Sequence, residues 1–230
     1  MKIFLTGFFF VFIVSGCSNY SAIVREHQND LVEFKIRPLD SVIQKSAKTF
    51  RIESVEINEK AMANNREFLK SKTLVLPFIV FDYWNHQTQY IIGKNQFKSQ
   101  LENDIKSSFE VGMEQFGYRK SETNPDFEIT ISAKKVLARS TYTKNGFFYF
   151  ALFAYGYSFD NSRGPYEAQV LFDIKTTEHG RSYNSEVEGG AILPLSLFRD
   201  DVDSEIERIS RSLSISINEA VRQYSIVAPK

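Results

Sequence analysis

The sequence predicts an α+β fold in which a mainly antiparallel sheet carries two long helices packed on one face. Amphipathic helical patterns occur at 94–116 and 201–224, and stretches with two-residue apolar alternation lie before and between them. The predicted order is strand, helix, strand, a long insert, hairpin and helix. Helices that stand apart from paired strands in this way are typical of α+β sandwiches.

The two predicted helices each show apolar residues at three- and four-residue steps, which is the pattern of one buried face. In 94–116 these residues are Phe97, Leu101, Ile105, Phe109, Gly112, Met113 and Phe116. In 201–224 they are Ile206, Ile209, Leu213, Ile217, Ala220 and Tyr224. Gly117 directly follows the first helix and is a natural residue for ending it.

Strands are predicted where apolar and polar residues alternate with a period of two. Such stretches are 50–57, 127–133, 168–175 and 183–188, and the last two flank a tight turn at 178–181. This arrangement predicts a hairpin. The run 74–81 is continuously apolar and predicts a buried strand, with a bulge or an edge position at Pro77.

The composition is that of a globular protein: the chain has 230 residues, of which 43% are hydrophobic and 24% charged. No linker-like segment or repeat interrupts 47–230, so we expect one α+β domain there, with an aromatic insert at 147–159. The 28 basic and 28 acidic residues cancel, which argues against nucleic acid as a partner. A single cysteine excludes an internal disulfide framework.

The N-terminus has the form of an export signal. Lys2 precedes a run of twelve residues, Ile3 to Val14, in which only Thr6 and Gly7 are not strongly apolar. This run is too short for a free-standing transmembrane helix, which needs roughly 20 apolar residues. Small residues and the only cysteine of the chain follow it, as at the cleavage site of a signal peptide.

The segment Val14-Ser15-Gly16-Cys17 resembles the lipobox of bacterial lipoproteins. The resemblance implies a signal peptide at 1–16, cleavage between Gly16 and Cys17, and covalent lipid on the Cys17 sulfur. Acyl chains would then anchor a lipidated N-terminus and tether spanning 17–46. Ser18, where an Asp would retain a Gram-negative lipoprotein at the inner membrane, implies the outer membrane, facing the periplasm. The alternatives are an ordinary secretory signal with a chance cysteine, or an uncleaved anchor.

The segment 147–159 is the most unusual part of the sequence, because eight of its thirteen residues are aromatic and none is charged. One interpretation is a core strand or loop under the sheet. A second is an exposed surface that contacts a membrane or a partner, and a third is the lining of a ligand pocket. The candidate contact residues are Phe147, Phe148, Tyr149, Phe150, Phe153, Tyr155 and Tyr157.

Catalytic and metal-binding patterns are not found in the sequence. His27, His86 and His179 are widely spaced and form no paired metal-ligand motif. The segment 82–86, which places Asp82 and His86 beside the only Trp, is interpreted as a surface loop. No nucleophile elbow or phosphate-binding glycine motif occurs. We therefore expect no enzymatic activity, no metal, and no cofactor apart from the covalent lipid.

The chain also loosely resembles small accessory and transporter-auxiliary envelope lipoproteins. The likeness rests on Phe109 to Tyr118, the 147–159 insert, and Ile192-Leu193-Pro194-Leu195 before the last helix. It implies a non-enzymatic protein that binds another envelope component, such as a protein partner, as a scaffold or as an accessory to an assembly or transport machine. The alternatives are a carrier or sensor of lipid or a small ligand that uses the aromatic segment, and an envelope hydrolase.

Overall fold

A computed structural model describes residues 46–58, 61–62, 66–77, 79–97, 100–151, 154–193 and 205–230. The predicted signal peptide, Gly16, Cys17 and the tether up to residue 45 lie outside the described residues. Phe153 and residues 194–204 also lie outside them.

The described part contains seven strands and two α-helices. The strands are β1 (Thr49–Ile57), β2 (Arg66–Leu76), β3 (Ile79–Ile91), β4 (Arg119–Lys120), β5 (Phe127–Ala151), β6 (Ala154–Glu178) and β7 (Arg181–Leu193). The helices are α1 (Leu101–Gln115) and α2 (Glu205–Val227), and a short 3-10 helix at Lys94–Gln96 precedes α1.

The residues divide into two compact units. The hairpin unit contains 65–90 and 141–163. The helix-bearing unit contains the described residues within 46–64, 91–140 and 164–230. Strands β3, β5 and β6 each pass from one unit into the other along the chain, so sequence continuity alone does not reveal this division.

The sheet of the helix-bearing unit is mixed. β1 pairs in parallel with β4 and with β5, whereas β6 and β7 form an antiparallel hairpin from Tyr166↔Leu193 to Glu178↔Arg181. The predicted α+β class is confirmed, and the parallel pairs show that the sheet is not purely antiparallel. The predicted turn is also present, since His179 and Gly180 both have positive φ angles, as a two-residue hairpin turn requires.

Helix α1 is shorter at its start than the sequence predicted. The prediction began at residue 94, but the 3-10 turn there ends at Gln96 and Phe97 is extended, so the α-helix begins at Leu101. The predicted end is confirmed. The N–H of Gly117 donates to the Glu114 carbonyl and that of Tyr118 donates to the Met113 carbonyl, which is a Schellman motif with Gly117 at φ 87°.

The core of the helix-bearing unit is formed by aromatic rings that join both helices to β6. Phe109 of α1 meets Phe172 edge-on at a centroid distance of 5.6 Å and lies 6.2 Å from the ring of Tyr224 in α2. The Tyr224 hydroxyl is 2.7 Å from Thr176 Oγ1. Burial raises the pKa of the Tyr224 hydroxyl, so this hydroxyl stays protonated in the core.

Helix α2 lies very close to the sheet because small residues face each other. Ser216 Oγ donates to the Ala168 carbonyl of β6 over 3.0 Å. A Cβ on Gly189 of β7 would overlap the Ser216 carbonyl oxygen, whereas a Cβ on Gly190 would meet nothing within 4 Å. Gly189 is therefore required by the approach of the helix, and Gly190 is not.

Strands β2 and β3 form an antiparallel hairpin whose register runs from Arg66↔Gln89 to Leu76↔Ile79. The prediction of a buried strand at 74–81 is therefore wrong. Only Pro77 and Phe78 separate the paired residues Leu76 and Ile79, so the apolar run folds back on itself and Pro77 lies in the turn. Its large side chains are exposed at Leu74, Val75, Leu76, Ile79 and Phe81.

The predicted strand 127–133 continues without a break to Ala151, and the hairpin strand predicted at 168–175 already begins at Ala154. The segment 147–159 is thus the end of a long β5–β6 hairpin, apart from residues 152–153, which are not described. The segment 82–86 is part of β3, so its interpretation as a loop is wrong. Among the described residues, no helix is long and apolar enough to cross a membrane.

Candidate functional site

The hairpin unit carries most of the large apolar side chains that are exposed in the described part of the chain. We call this set the hairpin surface; it consists of Leu74, Val75, Leu76, Ile79, Phe81, Tyr83, Phe147, Tyr149, Phe150, Tyr155 and Tyr157. The other exposed large hydrophobic residues are Tyr183, Ile192, Ile226 and Val227, in the helix-bearing unit. Contiguous exposed apolar surface of this kind marks a site of interaction.

Three neighbouring strands contribute side chains to one face of the hairpin unit. Leu74 of β2 is paired with Phe81 of β3, and residues directly opposite each other in a sheet lie on the same face. The Phe81 ring in turn stacks on Phe147 of β5, with a centroid distance of 6.1 Å and an interplanar angle of 21°. Leu74, Phe81 and Phe147 therefore form one apolar row that connects the two hairpins.

Aromatic rings lying over glycines hold these strands close together. A Cβ on Gly146 of β5 would overlap the indole of Trp84, and a Cβ on Gly156 of β6 would overlap the ring of Tyr149. Such cross-strand coverage fills the space that a glycine leaves on a sheet and helps to fix the strand register. Trp84 therefore packs across β3 and β5 and does not anchor a surface loop.

Polar contacts accompany these rings on β3. Asn85 Nδ2 donates a hydrogen bond to Asn145 Oδ1 of β5. Thr73 Oγ1 donates to Asp82 Oδ1 over 2.7 Å, and these two residues are directly paired across β2 and β3. Both contacts lie farther from the hairpin turns than the exposed aliphatic side chains, so they leave the ends of the hairpins apolar.

Charged residues are absent from both hairpin ends. The stretches 73–81 and 145–159 contain no Asp, Glu, Lys or Arg. The first charged residues beyond them are Lys72 and Asp82 on one hairpin, and Lys144 and Asp160 on the other. Two positive and two negative side chains therefore border the apolar region, and their formal charges cancel.

Most of the residues predicted as contacts within 147–159 reach the surface. Phe147, Tyr149, Phe150, Tyr155 and Tyr157 are exposed, and Tyr155 retains 72% of its accessible surface. Phe148 is half-buried, and Phe153 lies outside the described residues. The interpretation of this segment as core is therefore wrong at these five exposed positions.

The β2–β3 half of the hairpin surface was missed by the sequence analysis. A continuous apolar run is ambiguous, because a buried strand and a self-paired hairpin end have the same composition. Pro77 was the available signal: with Phe78 it provides the two residues that a tight turn needs, at the centre of the run. Because Pro77 was interpreted as a bulge or an edge position within one strand, the run 74–81 was wrongly predicted to be buried.

Asp82 and His86, two titratable residues beside the only Trp, are not brought together by the fold. Asp82 and His86 are four residues apart on β3, which places them roughly 13 Å apart along an extended strand. No group of three His, Cys, Asp or Glu residues in the described ranges is placed to hold a metal ion. The carboxylate of Asp126 accepts from the backbone N–H of Thr49 over 2.6 Å and from its hydroxyl over 2.8 Å.

These contacts have a structural role, since they join the starts of β1 and β5. The hydrogen bonds from Thr49 hold the pKa of the Asp126 carboxyl below its ordinary value of 3.8. The Asp126 N–H donates back to Thr49 Oγ1 over 3.0 Å, so the pair is reciprocal. An exposed aspartate that caps two strands in this way is accounted for without catalysis.

An open groove of about 360 Å³ lies on the helix-bearing unit. It is lined by Leu137, Arg139, Glu167, Ala168, Gln169, Gly190, Ala191 and Ile192. Arg139 and Glu167 form an ion pair with each other across it. None of these lining residues belongs to the aromatic segment, so this groove does not support a carrier that would use 147–159.

The fold and the surface together define an α+β protein with two β-hairpins that carry exposed apolar side chains. No protein-family model matches this chain, and no curated protein matches it. A solved structure entitled "Crystal structure of uncharacterized protein" aligns with 84% of this chain and 99% of its own length, at 7% sequence identity and a TM-score of 0.42. At that TM-score the likeness carries no argument about fold or function.

Proposed function

We propose that this protein is a lipid-anchored, non-enzymatic envelope protein that binds another envelope component through the hairpin surface, as a scaffold or accessory. The observation that carries this proposal is the exposure of charge-free apolar side chains on both hairpins. Leaving such side chains in water costs about 25 cal/mol for each Å² of apolar area, and contact with a partner recovers that free energy. The side chains contribute little to the core of the chain, so binding is the role that explains them.

The anchor is proposed from the lipobox alone. Cys17 would carry the lipid after cleavage at Gly16, and the tether would then connect the acyl chains to the first described residue, Ser46. Ser18 favours the outer membrane, with the folded part facing the periplasm. Several acyl chains, at about 0.8 kcal/mol for each buried methylene, give stable attachment without a transmembrane helix.

The anchor is tested by the intact mass of the protein purified from membranes. We expect a chain that begins at Cys17 and carries added acyl mass, and we expect Cys17→Ala to remain uncleaved and without lipid. A wild-type chain that begins at another residue, or carries no acyl mass, would contradict the anchor.

The binding role is tested by photo-crosslinking in intact cells. A photoreactive amino acid is placed at Val75 or at Tyr155, which are 68% and 72% exposed, and at Ile192 as the control. Ile192 is 69% exposed but lies in the helix-bearing unit, so exposure is matched and location differs. We expect reproducible adducts, to protein or to lipid, at the first two positions only. Equal labelling at all three positions would remove the hairpin surface as the binding site.

A further inference from the structure

We propose that the envelope component bound by the hairpin surface is the lipid bilayer itself, and that both hairpin ends enter the interfacial layer of a phospholipid membrane. This inference rests on the proposed function and makes it specific. It assigns the contact to the β2–β3 end (74–77 and 79–81) as well as to the β5–β6 end (147–151 and 154–157).

The first argument is the order of residue types away from the turns. In β2–β3, the aliphatic residues Leu76 and Ile79 lie beside the turn, and Tyr83 lies four residues beyond Ile79. In β5–β6, Phe150 and Tyr155 both lie near the ends of their strands, and Tyr157 lies two residues beyond Tyr155. Tyrosine is enriched at membrane interfaces because its ring is apolar and its hydroxyl is hydrated. An aliphatic β2–β3 end followed by tyrosine, together with a β5–β6 end that carries both phenylalanine and tyrosine, suits the interfacial layer of a bilayer.

The second argument is the length of strand that is free of charge. Asp82 is the fourth residue after Phe78, so the first hairpin is uncharged over about 13 Å on that side of its turn. On β5, the seven residues 145–151 that follow Lys144 are uncharged, which corresponds to about 24 Å. Half of the hydrocarbon core of a bilayer is about 15 Å thick. Each hairpin end can therefore enter one leaflet by about 13 Å without taking a charged side chain into the hydrocarbon.

The third argument distinguishes lipid from a protein partner or a second copy. Protein interfaces of standard size carry about ten direct hydrogen bonds and a polar rim. Between residues 74 and 81 no side chain has a hydrogen-bonding group, and between 147 and 157 the only such groups are the tyrosine hydroxyls. Lipid offers no directional hydrogen-bond partners to side chains, so side chains without polar groups suit it. The balanced charges around the region also predict that binding does not depend on anionic lipid.

The experiment uses the full lipidated chain reconstituted into vesicles of phosphatidylethanolamine and phosphatidylglycerol. Single cysteines are introduced as Val75→Cys, Tyr155→Cys or Ile192→Cys, and each is labelled with the environment-sensitive dye NBD. The wild-type chain is the labelling control, because a lipidated Cys17 has no free thiol. If the wild type does take up the dye, the anchor is wrong, and the three positions are then measured in a Cys17→Ser chain.

Doxyl-labelled phospholipid is then added to the vesicles as a quencher that is confined to the bilayer. We expect at least about twofold quenching at positions 75 and 155 and no quenching at 192, with the same result in vesicles of phosphatidylcholine alone. Equal fluorescence at all three positions would overturn the inference. A blue shift at 75 and 155 without lipid quenching, growing with protein density, would indicate a second copy and would also overturn it.

The two proposals fail in different ways. Absence of quenching together with protein adducts in the cellular crosslinking would leave a scaffold role through a protein partner and remove the membrane contact. Absence of both would remove the hairpin surface as a binding site altogether.

Discussion

Among the described residues, most large aromatic side chains of the helix-bearing unit are enclosed, whereas most of those in the hairpin unit reach the surface. Phe172 in the second half of β6 is fully buried against Phe109, and Tyr155 in the first half of the same strand is 72% exposed. Both residues belong to uninterrupted β-structure. The difference shows that, in this chain, an aromatic-rich strand does not indicate core; what matters is whether a helix packs on that part of the strand.

The difference between the units also appears in how glycine is used. Gly189 admits the backbone of a helix, whereas Gly146 and Gly156 admit aromatic rings from neighbouring strands. In the helix-bearing unit the gain is a layered core, and in the hairpin unit it is close contact between neighbouring strands.

The largest expected effect comes from applying one substitution to both units. Phe172→Ala removes a fully buried ring and should lower the free energy of unfolding by about 3–5 kcal/mol. Phe150→Ala removes a ring that is 51% exposed and should change the free energy of unfolding by only about 0.5 kcal/mol. Urea unfolding followed by circular dichroism measures both. Similar losses for the two variants would mean that the hairpin surface is not free surface.

A smaller effect is expected where helix α2 approaches β7. Gly189→Ala places a methyl group against the Ser216 carbonyl oxygen, and the resulting overpacking should destabilise the protein by about 1–3 kcal/mol. The adjacent Gly190→Ala is the matched control, because nothing lies within 4 Å of its Cβ. We expect the control to be neutral or slightly stabilising. The comparison is made by thermal unfolding, and equal melting temperatures would contradict the close approach of α2.

The smallest effect is a dependence on pH at the starts of β1 and β5. Thr49 holds the pKa of Asp126 below 3.8 in the folded protein, so the carboxylate stabilises the fold above that pH. This contribution is lost as the pH falls through the folded pKa. We expect the difference in the free energy of unfolding between wild type and Asp126→Asn to be constant near neutral pH and to disappear in acid.

Thr49→Val is the check on this pH effect. The substitution removes the hydroxyl donor but keeps the backbone N–H that also bonds to Asp126, so it should reduce the pH-dependent difference without abolishing it. Unfolding curves at a series of pH values measure both variants. A difference in stability between wild type and Asp126→Asn that persists unchanged into strong acid would show that the carboxylate charge does not stabilise the starts of β1 and β5.

Local signals predicted much of the helix-bearing unit. The α+β class, the end of α1 at Gly117, the turn at 178–181 and the apolar face of α2 all follow from patterns within one element. The parallel pairing of β1 with β5 does not, because Phe50 and Phe127 are far apart in sequence and nothing local specifies which strands become neighbours. The late start of α1 depends on the burial of Phe97, which is a tertiary effect.

The candidate site was only half predictable, for a related reason. The composition of 147–159 marked that segment as unusual, but composition alone cannot decide between core and surface. Burial depends on whether another layer covers the strand, and that information lies elsewhere in the chain. At 74–81, the continuous apolar run favoured β-structure correctly, and the error arose from a single residue, Pro77, whose place in a turn reverses the direction of the chain.

The passage of β5 and β6 through both units also limits how the length of the chain can change. Because side chains alternate between the faces of a sheet, one added residue in β5 between Ala138 and Phe147 would turn every later side chain to the other side unless a bulge absorbed it. Two added residues on each strand would lengthen the hairpin by about 7 Å and return each later side chain to its original face. We therefore expect insertions of two residues on each strand to keep the hairpin surface and insertions of one residue to disrupt it.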